Sequence, residues 1–275
     1  MGKAKRAGIK REGLSIVLDL HCHLFPDTDD GPATMDETLS MLYIAKEENI
    51  DVIAATHHYM EERQTVAEYL ALWEEKYEQV QEFIKAEDID LDIVMGAEVL
   101  ISPFLAQLEG LESLCINGSR YLLVELPMLD IPQYTEDVIY ALRLKGITPI
   151  IAHPERNHRI IKDSNLLHPL IEMGALGQVN TSSITGLYGR KIRKCVRILL
   201  EHNMAHLIAT DAHSPRTRSP RFKKAVTQLE KWFGREYSKV LLDENPISVL
   251  NDVLFIREPP IKIRRKTLLF RRKAF

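Results

Sequence analysis

Asp19-Leu20-His21-Cys22-His23 closes a short apolar run with two imidazoles one residue apart, and histidines or carboxylates recur just past later apolar runs. Side chains on an extended strand alternate between faces, so His21 and His23 point to one side and can share a metal ion. Cys22 points away from them and reads as packing rather than as a ligand or nucleophile. Asp30 lies in the loop beyond, His57 and His58 follow the second run, Glu98 the third, Glu125 the fourth, His153 the fifth, and Asp211 and His213 the seventh. A His-x-His triplet alone is a weak signal. Its recurrence with carboxylates at the ends of apolar runs is a strong one, because buried charge needs a partner or a metal. Imidazoles mixed with carboxylates, without paired thiolates, select Mn, Fe or Zn over a structural zinc knot. The set exceeds the needs of one ion: two metals sharing a carboxylate account for most of it, and a third accommodates the rest.

The elements that must position these residues are legible as β-type runs alternating with stretches of helical period, the pattern of repeated βα units with a mainly parallel sheet. Seven strands are expected: Ile16 to Leu20, Val52 to Thr56, Ile93 to Ala97, Tyr121 to Val124, Thr148 to Ala152, Leu176 to Val179 and Leu207 to Thr210. Their continuous apolar character suits strands covered on both faces. Candidate ligands follow six of the seven, where an α/β barrel gathers its loops around one mouth. Among the helices, Thr34 and Glu37 have capping-box spacing, and Val66, Leu70, Trp73, Tyr77, Val80 and Ile84 form one apolar stripe. Phe222, Ala225, Leu229, Trp232 and Phe233 mark another packed helix, and Asn245-Pro246 can start a last one.

A chain of 275 residues with 45% hydrophobic and 27% charged residues can bury one large core. A formal charge of -3 and a pI near 6.4 provide no global drive toward nucleic acid, and none is expected as a partner. The three cysteines, Cys22, Cys115 and Cys195, lack paired spacing, which points to a reducing compartment and the cytoplasm. No signal-peptide core or bilayer-spanning apolar stretch is found. The expected organisation is a basic N-terminal extension over 1–14, a single domain over 15–258 and a basic, mobile tail over 259–275. That tail offers a peripheral contact to an acidic partner or membrane surface.

The chain resembles the PHP (polymerase and histidinol phosphatase) superfamily and, within it, the bacterial tyrosine-protein phosphatases of capsule and exopolysaccharide synthesis. The resemblance runs from about Leu18 to Asn245. It rests on Asp19-Leu20-His21-Cys22-His23, Asp29-Asp30-Gly31-Pro32, Ala55-Thr56-His57-His58, Gly96-Ala97-Glu98, the run Arg120 to Pro127, Ile151-Ala152-His153-Pro154-Glu155-Arg156, and Ala209-Thr210-Asp211-Ala212-His213. The basic ending after Pro259-Pro260 is similar to that of Gram-positive members. The resemblance implies a distorted (β/α)7 TIM-like barrel, the PHP fold, with three divalent ions, Mn2+ foremost and Fe or Zn as alternatives, at the C-terminal end of the strands. It implies His21, His23, Glu98 and Asp211 on one metal, Glu98 bridging to a second completed by Glu125 and His153, and Asp30, His58 and His213 on a third. His57 is assigned a place beside the ligands, and Arg156 and Arg218 face the substrate phosphate, with Arg216 the nearby competitor for the second position.

The implied reaction is hydrolysis of phosphotyrosine, on a cognate bacterial tyrosine kinase, by direct attack of a metal-bridging hydroxide. Tyrosinate, with a parent pKa near 10, leaves more readily than an alkoxide and has less need of a strong acid. His57, His158 or a metal-bound water can supply a proton. A phosphocysteine route needs five residues between the thiolate and an arginine, and no cysteine here has that spacing: Cys22 leads to Thr28, Cys115 to Tyr121 and Cys195 to Glu201, with Arg120 one position too early. Alternative readings are a small-molecule phosphatase of the histidinol-phosphate type and a PHP nuclease or binding module.

Overall fold

The structure, a computed structural model, describes residues 17–254 and 257–264. The expected N-terminal extension, Ile16 and the tail beyond residue 264 lie outside the described residues.

The described residues form a mixed α/β fold whose nine strands lie in two sheets, paired in parallel throughout. The strands are β1 (Val17–Cys22), β2 (Ile50–Ala55), β3 (His58–Tyr59), β4 (Asp92–Met95), β5 (Glu98–Leu100), β6 (Tyr121–Glu125), β7 (Thr148–Ala152), β8 (Leu176–Asn180) and β9 (Leu207–Ala209). One sheet has the order β1-β2-β4, the other β3-β5-β6-β7-β8-β9. The excess over the seven expected strands arises because the second and third runs each break, at Thr56-His57 and at Gly96-Ala97, just before His58 and Glu98. At the breaks the Tyr69 hydroxyl donates to the Gly96 carbonyl at 2.8 Å and lies 3.1 Å from that of His57, and the Glu98 amide donates to His57. Backbone groups that leave the ladder are thereby satisfied.

The two sheets meet where β1 runs beside the segment after β9. The Asp211 amide donates to His21 and the His23 amide to Ala212, both at 2.8 Å, and Cys22 and Ala212 form a parallel bridge. Period-two alternation, interrupted on β1 by a register shift between Asp19 and Cys22, sorts the strand side chains into two cores. Leu18, Leu20, Val52, Ala54, Val94, Leu123, Ile150, Leu176 and Leu207 face one buried cluster, capped by Val249 and Leu250. Cys22, Ile53, Ala55, Leu122, Val124, Ile151, Val179 and Ile208 face the larger cluster beneath the helices.

Those helices are α1 (Met35–Glu48), α2 (Val66–Ala86), α3 (Thr135–Leu144), α4 (His158–Lys162), α5 (His168–Glu172), α6 (Thr181–Thr185), α7 (Arg190–Glu201), α8 (Lys223–Phe233), α9 (Arg235–Lys239) and α10 (Asn245–Leu250). The stripe expected on α2 faces the core, with Tyr69 added to it. Thr34 caps α1 by accepting from the Glu37 amide, but Glu37 returns its bond to Ala33 rather than to Thr34. The reciprocal capping box is made instead on α2 by Thr65 and Glu68. Asn245-Pro246 starts α10 as expected, with the proline in its first turn, and a π turn over Val240–Glu244 joins it to α9. A wider turn there accommodates a proline that has no amide to offer the preceding carbonyls.

Candidate metal centre

All nine expected ligands meet at the C-terminal ends of the strands. Their donor atoms form overlapping groups within 4.8 Å: His21, Glu98, His153 and Asp211; His23, Asp30, His58 and His213; His58, Glu98 and Glu125; and, with Asp29, His23 and His57. The partition differs from the one the resemblance implies, with His153 beside His21 and His23 beside the Asp30 group. Glu98 stands at the centre. One of its oxygens lies 3.1 Å from His23 Nε2, 3.3 Å from His21 Nε2 and 3.2 Å from His58 Nδ1, and the other 2.9 Å from His153 Nε2. His213 Nε2 and His58 Nε2 approach Asp30 at 3.1 and 3.3 Å. His153 and Asp211 have φ of +29° and +52°, so the backbone turns as it leaves β7 and β9 and aims both side chains into the cluster. Such conformations are sparsely populated for these residues and mark sites where the surroundings dictate the geometry.

The residues behind the ligands were not singled out from the sequence. Asp29 Oδ2 accepts from His23 Nδ1 at 2.6 Å and from the His58 amide at 3.0 Å, with His57 Nδ1 also at 3.0 Å. Gln178 Oε1 lies 2.9 Å from His21 Nδ1, and Gln178 donates in turn to Asn180, which donates to Asp211 at 2.7 Å. The Glu155 carboxylate accepts from the Asn180 amide. Gln178 and Asn180 lie on β8, the strand that offers no ligand in the sequence. Polar residues two apart in a buried strand were the available signal. A metal-binding imidazole typically has its far nitrogen fixed by a carboxylate or carbonyl. His21 and His23 have that arrangement through Gln178 and Asp29, and His213 Nδ1 has it with the Asp211 carbonyl at 3.0 Å.

Six imidazoles and five carboxylates in one small volume compete for protons. Burial opposes ionisation of Glu98, yet His21, His153 and His23 outweigh it and hold the carboxyl well below its usual range. Burial likewise opposes the His23 cation, but Asp29 and Glu98 push the imidazole up to about 10. His213 falls to about 4 through burial and the nearby His23. Burial and the charge of Glu98 raise Glu125. Divalent cations would supply the positive charge that protons otherwise bring, and the donor set fits them.

Arg156 and Arg218 clamp opposite oxygens of Asp211, at 2.7 and 2.8 Å. Arg156 also stacks on Tyr188, 5.1 Å from the ring centroid, and Arg218 reaches Asp30 at 3.5 Å. Arg216 is 79% exposed and pairs with Glu37, which removes it from the site. His57 is fully buried. Its Nε2 accepts from the Phe25 amide at 3.0 Å, its Nδ1 faces Asp29, and burial holds its pKa below the usual imidazole value. His158 is exposed at the start of α4. Beside Asp30 and His58 opens a cleft of about 380 Å³ whose wall continues through Thr28, Met60, Arg63 and Gln64. All three cysteines are buried; Cys22 is pushed well up, and burial pushes Cys115 and Cys195 up to about 12.

A parallel α/β scaffold carrying clustered histidines and carboxylates at the strand ends defines a metal-dependent hydrolase class. Comparison with known proteins narrows it. Residues 17–251 match the family described as "Capsular polysaccharide synthesis, CpsB/CapC", and the chain belongs to that family. It is 34% identical over 253 residues to the tyrosine-protein phosphatase YwqE of Bacillus subtilis, covering 92% of this chain and 98% of that protein. It is 37% identical over 200 residues to the putative tyrosine-protein phosphatase CapC of Staphylococcus aureus, covering 72% and 77%. Among solved structures, one described with YwqE from Bacillus subtilis and CpsB from Streptococcus pneumoniae as unique metal-dependent tyrosine phosphatases superposes with a TM-score of 0.83 at 33% identity, covering 90% of this chain and all of that one.

Proposed function

We propose that this chain is a metal-dependent protein-tyrosine phosphatase that acts on a cognate bacterial tyrosine kinase in the cytoplasm and so regulates capsule or exopolysaccharide synthesis. The observation that carries the reading is the convergence of nine candidate ligands with two arginines that share one ligand carboxylate. The family and its tyrosine-phosphatase relatives support the substrate class. Three buried free cysteines support a reducing compartment, and no described helix is long and apolar enough to cross a membrane. In this reading the two sheets complete one distorted (β/α)7 barrel, a proposal supported by the β1 contacts after β9 and by the inner cluster drawn from both sheets. The domain spans 15–258, flanked by basic segments over 1–14 and 259–275 that offer an acidic-surface contact.

His21, His23, Asp30, His58, Glu98, Glu125, His153, Asp211 and His213 would hold three divalent ions, Mn2+ foremost. When bound, such ions supply positive charge to the phosphoryl oxygens and a water acidic enough to act as nucleophile at neutral pH. Arg156 and Arg218 present paired donors to the phosphoryl oxygens, a geometry that a lysine cannot reproduce. Tyr188 keeps Arg156 in place. With both nitrogens engaged, His57 positions Asp29 and thereby His23 rather than delivering a proton to the leaving tyrosinate. The buried thiols, held protonated, leave no thiolate for a phosphocysteine route.

Chelation should abolish turnover of a phosphotyrosine peptide while iodoacetamide spares it. His153→Ala should lose both bound metal and rate; Arg156→Ala should keep its metal and lose about 100- to 1,000-fold in kcat. Equal activity in the three proteins, or faster turnover of histidinol phosphate than of the peptide, would overturn the assignment.

A further inference from the structure

At the opposite end of the strands from the metal centre, the first residues of β6, β7 and β8 border a cleft of about 70 Å³, lined by Tyr121, Arg143, Thr148, Gly174, Leu254 and Arg257. That volume exceeds the space of a single water several-fold. Two half-buried guanidiniums enter it from different parts of the chain. Arg143, in the last turn of α3, donates through Nη1 to the Ile147 carbonyl and the Thr148 hydroxyl. Its side chain lies against the backbone of Gly174, whose φ of +108° suits glycine and where a Cβ would stand 2.7 Å from Arg143 Nε. Arg257 arrives on the C-terminal segment and donates through Nη1 to the Ala175 carbonyl. All these partners are neutral oxygens, and among the described residues neither guanidinium pairs with a carboxylate. Each retains unused N–H donors.

Like charges gathered in a partly desolvated cleft are unfavourable unless an anion balances them. Burial and the charge of Arg143 hold Arg257 below the usual guanidinium range, consistent with an unbalanced pair. We propose that the cleft between Arg143 and Arg257 binds a small oxyanion, inorganic phosphate in particular. The oxyanion class follows from the cleft alone; the choice of phosphate rests on the phosphatase reading, since phosphate is the product released there. The site has a structural consequence. Beyond Arg257 the C-terminal segment runs along the body: Asn203 donates to the Pro259 carbonyl, the Ile261 amide to His202, and Asn165 exchanges two bonds with Ile263. An oxyanion shared by the two arginines would therefore tie this segment to the end of α3.

Calorimetric titration of the metal-loaded full chain with inorganic phosphate tests the proposal. The wild-type protein should show two sites. Arg143→Gln and Arg257→Gln should each weaken one of them by roughly tenfold or more while peptide turnover stays at the wild-type level. Arg156→Gln should weaken the other. Two unaltered sites in both Arg143→Gln and Arg257→Gln would overturn the proposal, as would a single wild-type site that responds only to Arg156→Gln. If either variant fails to fold, crystals of the wild-type protein soaked in selenate decide the matter. An anomalous peak between the two guanidiniums supports the site, and selenate found only at the metal centre counts against it. Failure here leaves the phosphatase assignment untouched, because the two sites are read by different variants.

Discussion

Asp29 does its work through other residues. One of its oxygens faces the His23 imidazole, the His58 amide and His57, and the other accepts from the Gly31 amide at 3.0 Å. It thus fixes the tautomer of His23, so that Nε2 faces the cluster, and sets the path by which His58 enters. Asp29→Asn keeps the shape of the side chain but loses a full negative charge opposite an imidazole. Metal affinity should fall about 10- to 100-fold, with kcat/KM falling in parallel and recovering at high metal concentration. The check is competition against a fluorescent chelator beside turnover at graded metal; unaltered affinity would show that His23 needs no anchor. The candidate ligands other than Asp30 were readable in the sequence because they follow apolar runs, where chain direction alone places them at the mouth. Asp29 was not. Asp29 and Asp30 are adjacent and chemically identical, and only the path of the loop that carries them sets Asp30 beside His58 and His213 and Asp29 behind His23 and His57. The arginines were separable only in space: Arg216 and Arg218 are two residues apart, yet the first pairs with Glu37 on α1 and the second with Asp211.

At the scale of the element, β8 supports the site without contributing a ligand, and its position is set by a backbone contact. A Cβ on Gly177 would stand 2.2 Å from the Met204 carbonyl oxygen, and the neighbouring turn, stitched by His206 to Gly177, cannot withdraw. Gly177→Ala must therefore push β8 from the turn leading into β9. The expected loss is about 1–3 kcal/mol of stability, read as a lower urea midpoint with an unchanged slope. Displacing Gln178 and Asn180 should also loosen His21 and Asp211, so metal affinity should drop with it. Wild-type stability would show that the turn can yield. Seven apolar runs announced the strands, and their order along the chain matches. The interruptions in the second and third runs were hidden because their remedy is non-local: the Tyr69 hydroxyl that reaches the freed carbonyls belongs to α2, and nothing in the runs themselves marks it. The C-terminal segment was hidden for a similar reason. Its basic composition suggested a mobile end, whereas residues 257–264 are held by the Ile261 amide bonded to the His202 carbonyl, by the Asn203 side chain and by Asn165.

Whole-molecule stability should carry the signature of a histidine that resists charging in the folded state. His206 is 5% exposed, its Nδ1 accepts from the Gly177 amide at 3.1 Å, and Asn245 on α10 donates to its carbonyl, so one residue joins β8, the approach to β9 and the last helix. Burial, reinforced by the charge of Arg257, lowers its pKa from 6.5 to about 3. The folded state therefore binds fewer protons than the unfolded state between those values. This contribution to stability is fully present above about pH 6.5 and is lost progressively as pH falls toward 3. Acid also releases any bound metal by protonating its ligands, which would lower stability over an overlapping range. Comparison of the wild-type protein with His206→Asn cancels that shared term. The asparagine oxygen can accept the Gly177 amide but takes up no proton, so the variant begins less stable at neutral pH and loses less on acidification. The gap between the two unfolding free energies should narrow steadily from pH 6.5 to 4.5 in urea titrations with and without metal. Curves that run parallel across that interval would mean that His206 charges in place, with water or a shifted Arg257 admitting the cation.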